Sequence, residues 1–254
     1  MKINRISQVE SYILKHKSVS IDNLCEEFQI SKNTLRRDLD VLSKKGTVTK
    51  VYGGVTSIEP NSTVLTTFNE RNVKNSESKN RIVKTAVQFI KDGDTIFIDT
   101  GTSTSNIIDH IGQLNKVTVI TNSIEVMYKT QSYPNIILIG LPGILKRHTS
   151  SLVGSDCSKY LKTYNIDKAF MACTAISLEN GVTNASSEEY EIKKTAIERS
   201  HEHYLLVDNT KFDKTSLMTF CQIQQLDCII TDIQPNDTYM EFFENNNIHV
   251  EIAE

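Results

Sequence analysis

Between Ser31 and Gly46 the chain carries a helix whose two ends are both marked, and this constrains the N-terminal region more than any other feature. Leu35, Leu39 and Leu42 recur at i, i+4 and i+7, one stripe of a 3.6-residue helix. Ser31 is a good N-cap, Lys44 and Lys45 place cations at the negative end, and Gly46 supplies a stop. The opposite face carries Lys32, Asn33, Arg36 and Arg37, so it meets solvent or a ligand.

The flanking segments complete a module. Ile21 to Phe28 reads as a short amphipathic helix whose Leu24 and Phe28 meet the leucine stripe, and residues 4–17 place Ile6, Val9 and Ile13 on one face with Tyr12 beside it. Thr47 to Val51 alternates and runs into Tyr52-Gly53-Gly54, where glycine permits the positive φ of a tight turn. Helix, turn, helix and hairpin wing in this order predict a reader of double-stranded DNA. Ser31, Lys32, Asn33, Thr34, Arg36 and Arg37 would lie along the major groove, with Lys50 and Tyr52 of the wing at the phosphate backbone. Any amphipathic helix has a charged outer face, so the helix alone would not decide the matter. Charge adds weight: residues 1–56 hold 10 Lys/Arg against 6 Asp/Glu, whereas the remaining 198 residues hold 18 against 25.

The motif Ser31-x-x-Thr34-Leu35-Arg36-Arg37-Asp38-Leu39, followed by Gly46 and Tyr52-Gly53-Gly54-Val55, resembles the N-terminal signature of DeoR-type bacterial transcriptional regulators, whose wing usually has His in place of Tyr52. The resemblance implies a winged helix-turn-helix repressor.

At 254 residues the chain has room for this domain and a second one with its own core. Its 39% hydrophobic and 23% charged residues are ordinary for a globular protein. No tract approaches the ~20 apolar residues of a membrane span, and the start lacks an apolar signal core, so a cytoplasmic protein is expected. Five cysteines without a Cys-x-x-Cys pair read as reduced, buried thiols, with no disulfide frame and no metal site.

Residues 57–75 are polar and weakly periodic around Pro60 and read as a linker between domains 1–56 and 76–254. Beyond them, apolar runs alternate with helical stretches: Thr95–Ile98, Val117–Ile120, Ile136–Ile139, Ala169–Met171, Tyr204–Val207 and Cys228–Ile230. Runs of this kind, buried on both sides, predict an α/β domain with a mostly parallel sheet. In such sheets ligands sit beyond the carboxyl ends of strands, where this chain carries Asp99-Thr100-Gly101-Thr102-Ser103-Thr104, Thr121-Asn122, Gly140 and Asp208 with Lys211. Gly101 lets backbone approach a ligand, and the hydroxyls after it fall at a predicted helix start that favours an anion such as phosphate. Read alone, the same loop serves equally as a capped strand-to-helix turn. Arg71 and Lys79 are basic groups that would complete the charge balance, although single cations are ordinarily surface residues. Glu188, Glu189 and Glu191 open a predicted helix, where stabilising its dipole is a sufficient role.

Arg71 with Lys79, Asp92-Gly93-Asp94-x-Ile96-Phe97-Ile98-Asp99-x-Gly101-Thr102, Thr121-Asn122, Ser151-Leu152-Val153-Gly154, Gly181-Val182-Thr183 and Asp208-x-x-Lys211-Phe212 resemble the ordered motifs of the DeoR sensor domain. That domain is similar in fold to ribose-5-phosphate isomerase and the CoA transferases and binds phosphorylated sugars as inducers. The resemblance implies that Asp99 to Thr104, Asn122, Asp208 and Lys211 hold the effector, with Arg71 and Lys79 nearby; Thr121 and Gly140 join the expected site from their places at strand ends. Because operators are usually read by dimers whose symmetry matches the half-site spacing, a homo-oligomer, dimer or tetramer, is expected, without cofactor or catalytic residues. Where the family has Gly-Gly this chain has Gly140-Leu141, and where the family has a small turn it has Ala172-Cys173-Thr174-Ala175, so a narrower pocket is expected. Residues 204–222 resemble the lactose-operon repressors of that family, which respond to tagatose 6-phosphate. The competing expectation is a sugar-phosphate isomerase or acyl transferase with an accessory basic domain, in which Asp99, Asp208 and Lys211 would move protons.

Overall fold

The leucine stripe is buried as its spacing requires. In the computed structural model, which describes residues 2–16, 18–45, 47–51, 54–57 and 68–254, the chain divides into two units, 1–65 and 66–254. The first contains α1 (Lys2–His16), β1 (Ser18–Ser20), α2 (Ile21–Glu27), α3 (Lys32–Lys45), β2 (Val48–Val51) and β3 (Gly54–Ser57). Leu35, Leu39 and Leu42 of α3 pack with Val9 and Ile13 of α1 and Leu24 of α2, and Phe28 and Tyr12 flank this core. Ser20 caps α2 by accepting from Asn23 N at 3.1 Å. Ser31 caps α3, its Oγ accepting from Thr34 N at 3.3 Å.

The three strands form an antiparallel sheet in the order β1-β3-β2. Tyr52, Gly53 and Gly46 lie outside the described residues. Gly54 has a different role from the turn expected of it. A Cβ there would lie 2.7 Å from the Val19 carbonyl oxygen, so glycine lets β3 pass close to β1.

The second unit begins with a helix. Residues 68–73, inside the stretch read as linker, form α4 (Phe68–Val73), whose Phe68 N donates to His148 O at 3.0 Å. There follow α5 (Ser76–Ala86), β4 (Thr95–Ile98), β5 (Thr118–Thr121), α6 (Ile124–Thr130), β6 (Ile137–Gly140), β7 (Ile144–Lys146), β8 (Ser151–Val153), α7 (Ser155–Leu161), β9 (Ile166–Ala172), β10 (Ala175–Ser177), β11 (Gly181–Asn184), α8 (Ser187–Arg199), β12 (Ser200–Leu206), β13 (Met218–Cys221), β14 (Cys228–Thr231), α9 (Asp237–Asn245) and β15 (His249–Ile252).

Seven strands make one sheet in the order β15-β14-β12-β9-β4-β5-β6, with every pairing parallel. Alternation along β4 shows the layering. Phe97 joins a core with residues of α7, α8 and α9, while Ile96 and Ile98 join another with Ile82 and Val83 of α5. Both faces of the central strands are therefore covered, which is why they read as unbroken apolar runs. The outermost runs differ: β6 is an edge strand whose Ile137 is 56% exposed, and β15, at the other edge, alternates polar and apolar residues. A small antiparallel sheet, β10-β11-β13, and the hairpin β7-β8 complete the unit.

The chain runs outward from β4 through β5 to β6, then returns to β9 and runs the other way. The order thus reverses between β4 and β9, and a crevice at the carboxyl ends of these strands is the favoured ligand position in an open parallel sheet. Of the five free cysteines, Cys157, Cys221 and Cys228 are buried, whereas Cys25 and Cys173 are only half-buried. No helix among the described residues is long and apolar enough to cross a membrane.

Candidate functional site

In the first unit, the outer face of α3 exposes Lys32, Asn33, Arg36 and Arg37, with Ser31 at its start and Thr34 half-buried beneath. The helix is oriented by a tie that the motif concealed. Asp38, 1% exposed, accepts from Arg5 Nε at 2.8 Å and Nη2 at 3.0 Å, joining α3 to α1. Lys32 is paired with Asp22 at 2.6 Å, and Lys50 of the wing with Asp40. The Asp22 carboxylate raises the Lys32 pKa. Arg36 and Arg37 have no ion pair among the described residues, which leaves them the freest cations of the face.

In the second unit, the loop after β4 reaches across the crevice. Asp99 N donates to Phe170 O at 3.1 Å. The Asp99 carboxylate accepts from Thr100 N at 2.8 Å and from Ala172 N of β9 at 2.9 Å. A Cβ on Gly101 would overlap that of Ala172, so glycine is required for this approach. Asp99 is also paired with Lys193 of α8, whose ammonium donates to Ala172 O at 2.9 Å. Asp99 is thus held by two backbone donors and a buried cation. It anchors the loop.

Residues 101–106 form turns followed by a short 3₁₀ helix at Ile107–His110, not the α-helix start expected there. The helix-dipole argument for anion binding therefore does not apply. Thr104 N and Ser105 N both reach Gly101 O, but the N–H groups of Gly101, Thr102 and Ser103 meet no acceptor among the described residues. Thr102 and Ser103 are buried, and unbonded buried N–H groups are rare. Successive free N–H groups form a concavity suited to an anion.

The hydroxyls divide between structure and site. Thr104 Oγ1 donates to Asp99 O at 2.7 Å, and Thr121 Oγ1 donates to Ile98 O at 2.6 Å, so both are consumed by the scaffold. Asn122 donates to Leu152 O at 2.9 Å while its Oδ1 is buried without a partner, as is Ser105 Oγ. Gly140 ends the edge strand β6, two strands out from β4, and is exposed; it lies apart from the crevice.

Cations and carboxylates converge on the opposite side. Lys79, 6% exposed, donates to the Arg71 carbonyl oxygen. Burial pulls the Lys79 pKa down to about 8, against the attraction of Asp208. Burial likewise lowers the Arg71 pKa, against Glu189 and Asp99, and Arg71 Nη2 is buried without a partner. Asp208 accepts from Thr210 N at 3.1 Å and from Asn75 Nδ2 at 3.3 Å. Lys211 feels the charge of Lys79 and has no ion pair among the described residues.

Three participants, Lys193, Glu189 and Asn184, escaped sequence reading. Lys193 was passed over, and Glu189 was assigned to the helix dipole, yet Glu189 is buried and accepts from Asn184 Nδ2 at 3.2 Å and Ser151 Oγ at 3.5 Å. Glu188 and Glu191 remain outside this cluster, Glu188 pairing with Lys146. Cys173 sits among Lys211, Lys193, Asp208 and Asp99, and desolvation pushes its thiol up to about 12.

Comparison with known proteins agrees with this division. The model of the DeoR-like helix-turn-helix domain matches residues 5–61, and that of the DeoR C terminal sensor domain matches residues 74–233. The HTH-type transcriptional regulator IolR of Bacillus subtilis is 43% identical over 253 residues, covering 100% of each chain. The lactose phosphotransferase system repressor of Lactococcus lactis subsp. lactis is 34% identical over 95% of each. Among solved structures, a D-ribose-5-phosphate isomerase in complex with phospho-erythronic acid aligns over 54% of each chain, with a TM-score of 0.41 and 17% identity. The chain belongs to the DeoR family of DNA-binding helix-turn-helix transcriptional regulators, with an N-terminal reader and a C-terminal sensor domain.

Proposed function

We propose that this regulator represses a sugar-metabolism operon and leaves its operator when a phosphorylated sugar fills the crevice between β4 and β9. The single observation that carries this reading is the run of unbonded N–H groups at Gly101, Thr102 and Ser103, which follows Asp99, whose charge reaches Arg71 and which shares Cys173 as a neighbour with Lys211. A phosphate supplies the acceptors that these donors lack. The buried carboxylate and amides of Glu189, Asn184 and Asn122 are suited to hydroxyl groups of the same ligand. Two relatives named as repressors, GlcR of Bacillus subtilis at 28% identity and the lactose phosphotransferase system repressor, support repression as the direction of control.

Operators are commonly read by two-fold dimers, so the acting form is a cytoplasmic homo-oligomer. The effector lowers DNA affinity because it favours the conformation that binds DNA poorly. An enzymic reading finds no support in Asp99, which is held by Lys193 and two backbone donors.

A thermal-shift screen against aldose and ketose phosphates tests the ligand class, since a ligand of the native state raises its apparent stability. Lys211→Ala is expected to keep DNA binding and to need a higher sugar-phosphate concentration for release. Release at an unchanged concentration would place the pocket elsewhere, and turnover of any tested phosphate would overturn the non-enzymic reading.

A further inference from the structure

The helix α4 occupies an unusual place in the chain. It falls in the gap between the two domain-model matches, which end at residue 61 and begin at residue 74. It is also the first described element after residues 58–67, which lead in sequence from the reader. Its start is held by Phe68, whose N–H reaches His148 O and whose ring is buried. Its last turn is held from inside the sensor crevice. Lys79 donates to the Arg71 carbonyl oxygen, and the Arg71 guanidinium lies 5.9 Å over the Phe68 ring, among the charges of Glu189 and Asp99.

Two groups thus connect α4 to the crevice, and both have capacity left. Arg71 Nη2 is buried and unpartnered. A lysine ammonium has three protons, and among the described residues Lys79 uses one of them, on the Arg71 carbonyl oxygen. An anion accepting from both would add bonds without breaking any. Asp208 reinforces the arrangement by accepting from Asn75, the left-handed residue (φ 56°) at the α4–α5 junction.

We propose that α4 is the element through which the effector acts: the anion bound in the crevice bridges Arg71 and Lys79 and clamps the last turn of α4 to the sensor domain. This rests on the reading of the crevice as a phosphate site. In the ligand-free protein the guanidinium has an open valence, and among the described residues the C-terminal end of α4 is held by the Lys79 ammonium on the Arg71 carbonyl oxygen and by Asn75 on Asp208. In the bound protein that end is also tied through two side chains to a fixed ligand.

Hydrogen–deuterium exchange on the full chain tests the proposal, with inorganic phosphate as the probe and chloride at equal ionic strength as the control. Phosphate is expected to slow exchange severalfold at the amides of residues 101–103 and at those of residues 68–73. Arg71→Met removes one ligand of the anion, so phosphate is raised until the slowing at 101–103 matches that of the unaltered protein; at that matched occupancy the slowing at 68–73 should be lost, and Arg71→Lys should recover part of it. Slowing at 101–103 without any change at 68–73 in the unaltered protein overturns the clamp and leaves the phosphate site standing. No slowing at either place overturns both. Equal slowing of 68–73 in the protein and in Arg71→Met also refutes the clamp. If Arg71→Met has lost α4 altogether, its ligand-free exchange at 68–73 will already be maximal, and Lys79→Met then provides the same comparison.

Discussion

Gly101→Ala puts the crevice geometry to a quantitative test. The added methyl would lie well under 3.0 Å from the Ala172 Cβ, whereas carbon atoms pack at ~3.5–4.0 Å, so the loop and β9 must part by at least about 1 Å. Neither side yields easily. Asp99 N is bonded to Phe170 O at 3.1 Å and Ala172 N to the Asp99 carboxylate at 2.9 Å, and both bonds join the loop to β9. Overpacking of this kind costs about 2 kcal/mol. For a domain of this size that lowers the thermal midpoint by about 4–8 °C. Ala172→Gly removes the obstructing methyl at a cost of about 0.5–1 kcal/mol for glycine in a strand. In the double variant the two changes should compensate, leaving a coupling energy of about 1–2 kcal/mol. Thermal or urea denaturation of the four proteins measures the cycle, and titration with a responding sugar phosphate should show the weakest binding for Gly101→Ala alone. An unchanged midpoint and ligand response in Gly101→Ala, or a cycle with no coupling, would refute the reasoning.

Three further outcomes are expected. Arg37→Ala should weaken binding to operator DNA while leaving sugar-phosphate affinity intact, because it removes an exposed cation and no core atom; full affinity in an anisotropy titration contradicts the assignment. Lys79 should make effector binding pH-dependent. Its pKa is depressed to about 8, an anion prefers the protonated form, and a phosphate monoester with second pKa ~6 does not change charge above neutrality, so affinity should fall roughly tenfold from pH 7 to pH 9. The same depression acts oppositely on stability: the penalty of burying the ammonium is fully present below about pH 8 and is relieved as pH rises toward the unfolded lysine value. A flat binding profile in calorimetric titrations, or one unchanged in Lys79→Met, counts against this role. Lys193→Met should destabilise the sensor domain by about 3 kcal/mol, because it strands the buried Asp99 carboxylate and the Ala172 carbonyl; a loss below about 1 kcal/mol in urea denaturation would show the pair to be dispensable.

Local signals in the chain correspond to local structure. The α3 stripe, its Ser31 cap and the apolar runs of β4, β5 and β14 are visible within windows of a few residues, because burial there is periodic or complete. β15 escaped notice because His249-Val250-Glu251-Ile252 sits at an edge, where one side of the strand meets water. The short strands β10, β11 and β13 have too few residues each to establish a period. The crevice was legible only in part. Its strand-end loops follow from the sheet rule, but Asp99 and Lys193 are 94 positions apart, and nothing local distinguishes Lys193 from Lys194 beside it. Glu189 shows the same limit from the other side, since at a helix start a carboxylate has an adequate local explanation. What separates it from Glu188 is which way the helix turns each of them, and that is decided by packing against β8, β11 and the crevice.

The ion pairs of Lys32 with Asp22 and Lys50 with Asp40 bear on how the reader searches DNA. A lysine that already faces an aspartate brings fewer condensed counterions off the duplex than its charge suggests. It must also leave a carboxylate near the phosphates when it changes partner. The logarithmic salt slope should then fall short of the ~0.9 units per basic contact that free cations give. The shortfall applies equally to every sequence, so it lowers the general attraction for the polymer without touching base-edge contacts. On the DNA-contacting face proposed for α3, such a protein is expected to dwell briefly on arbitrary DNA and to distinguish operator from genome mainly through Arg36, Arg37 and Asn33.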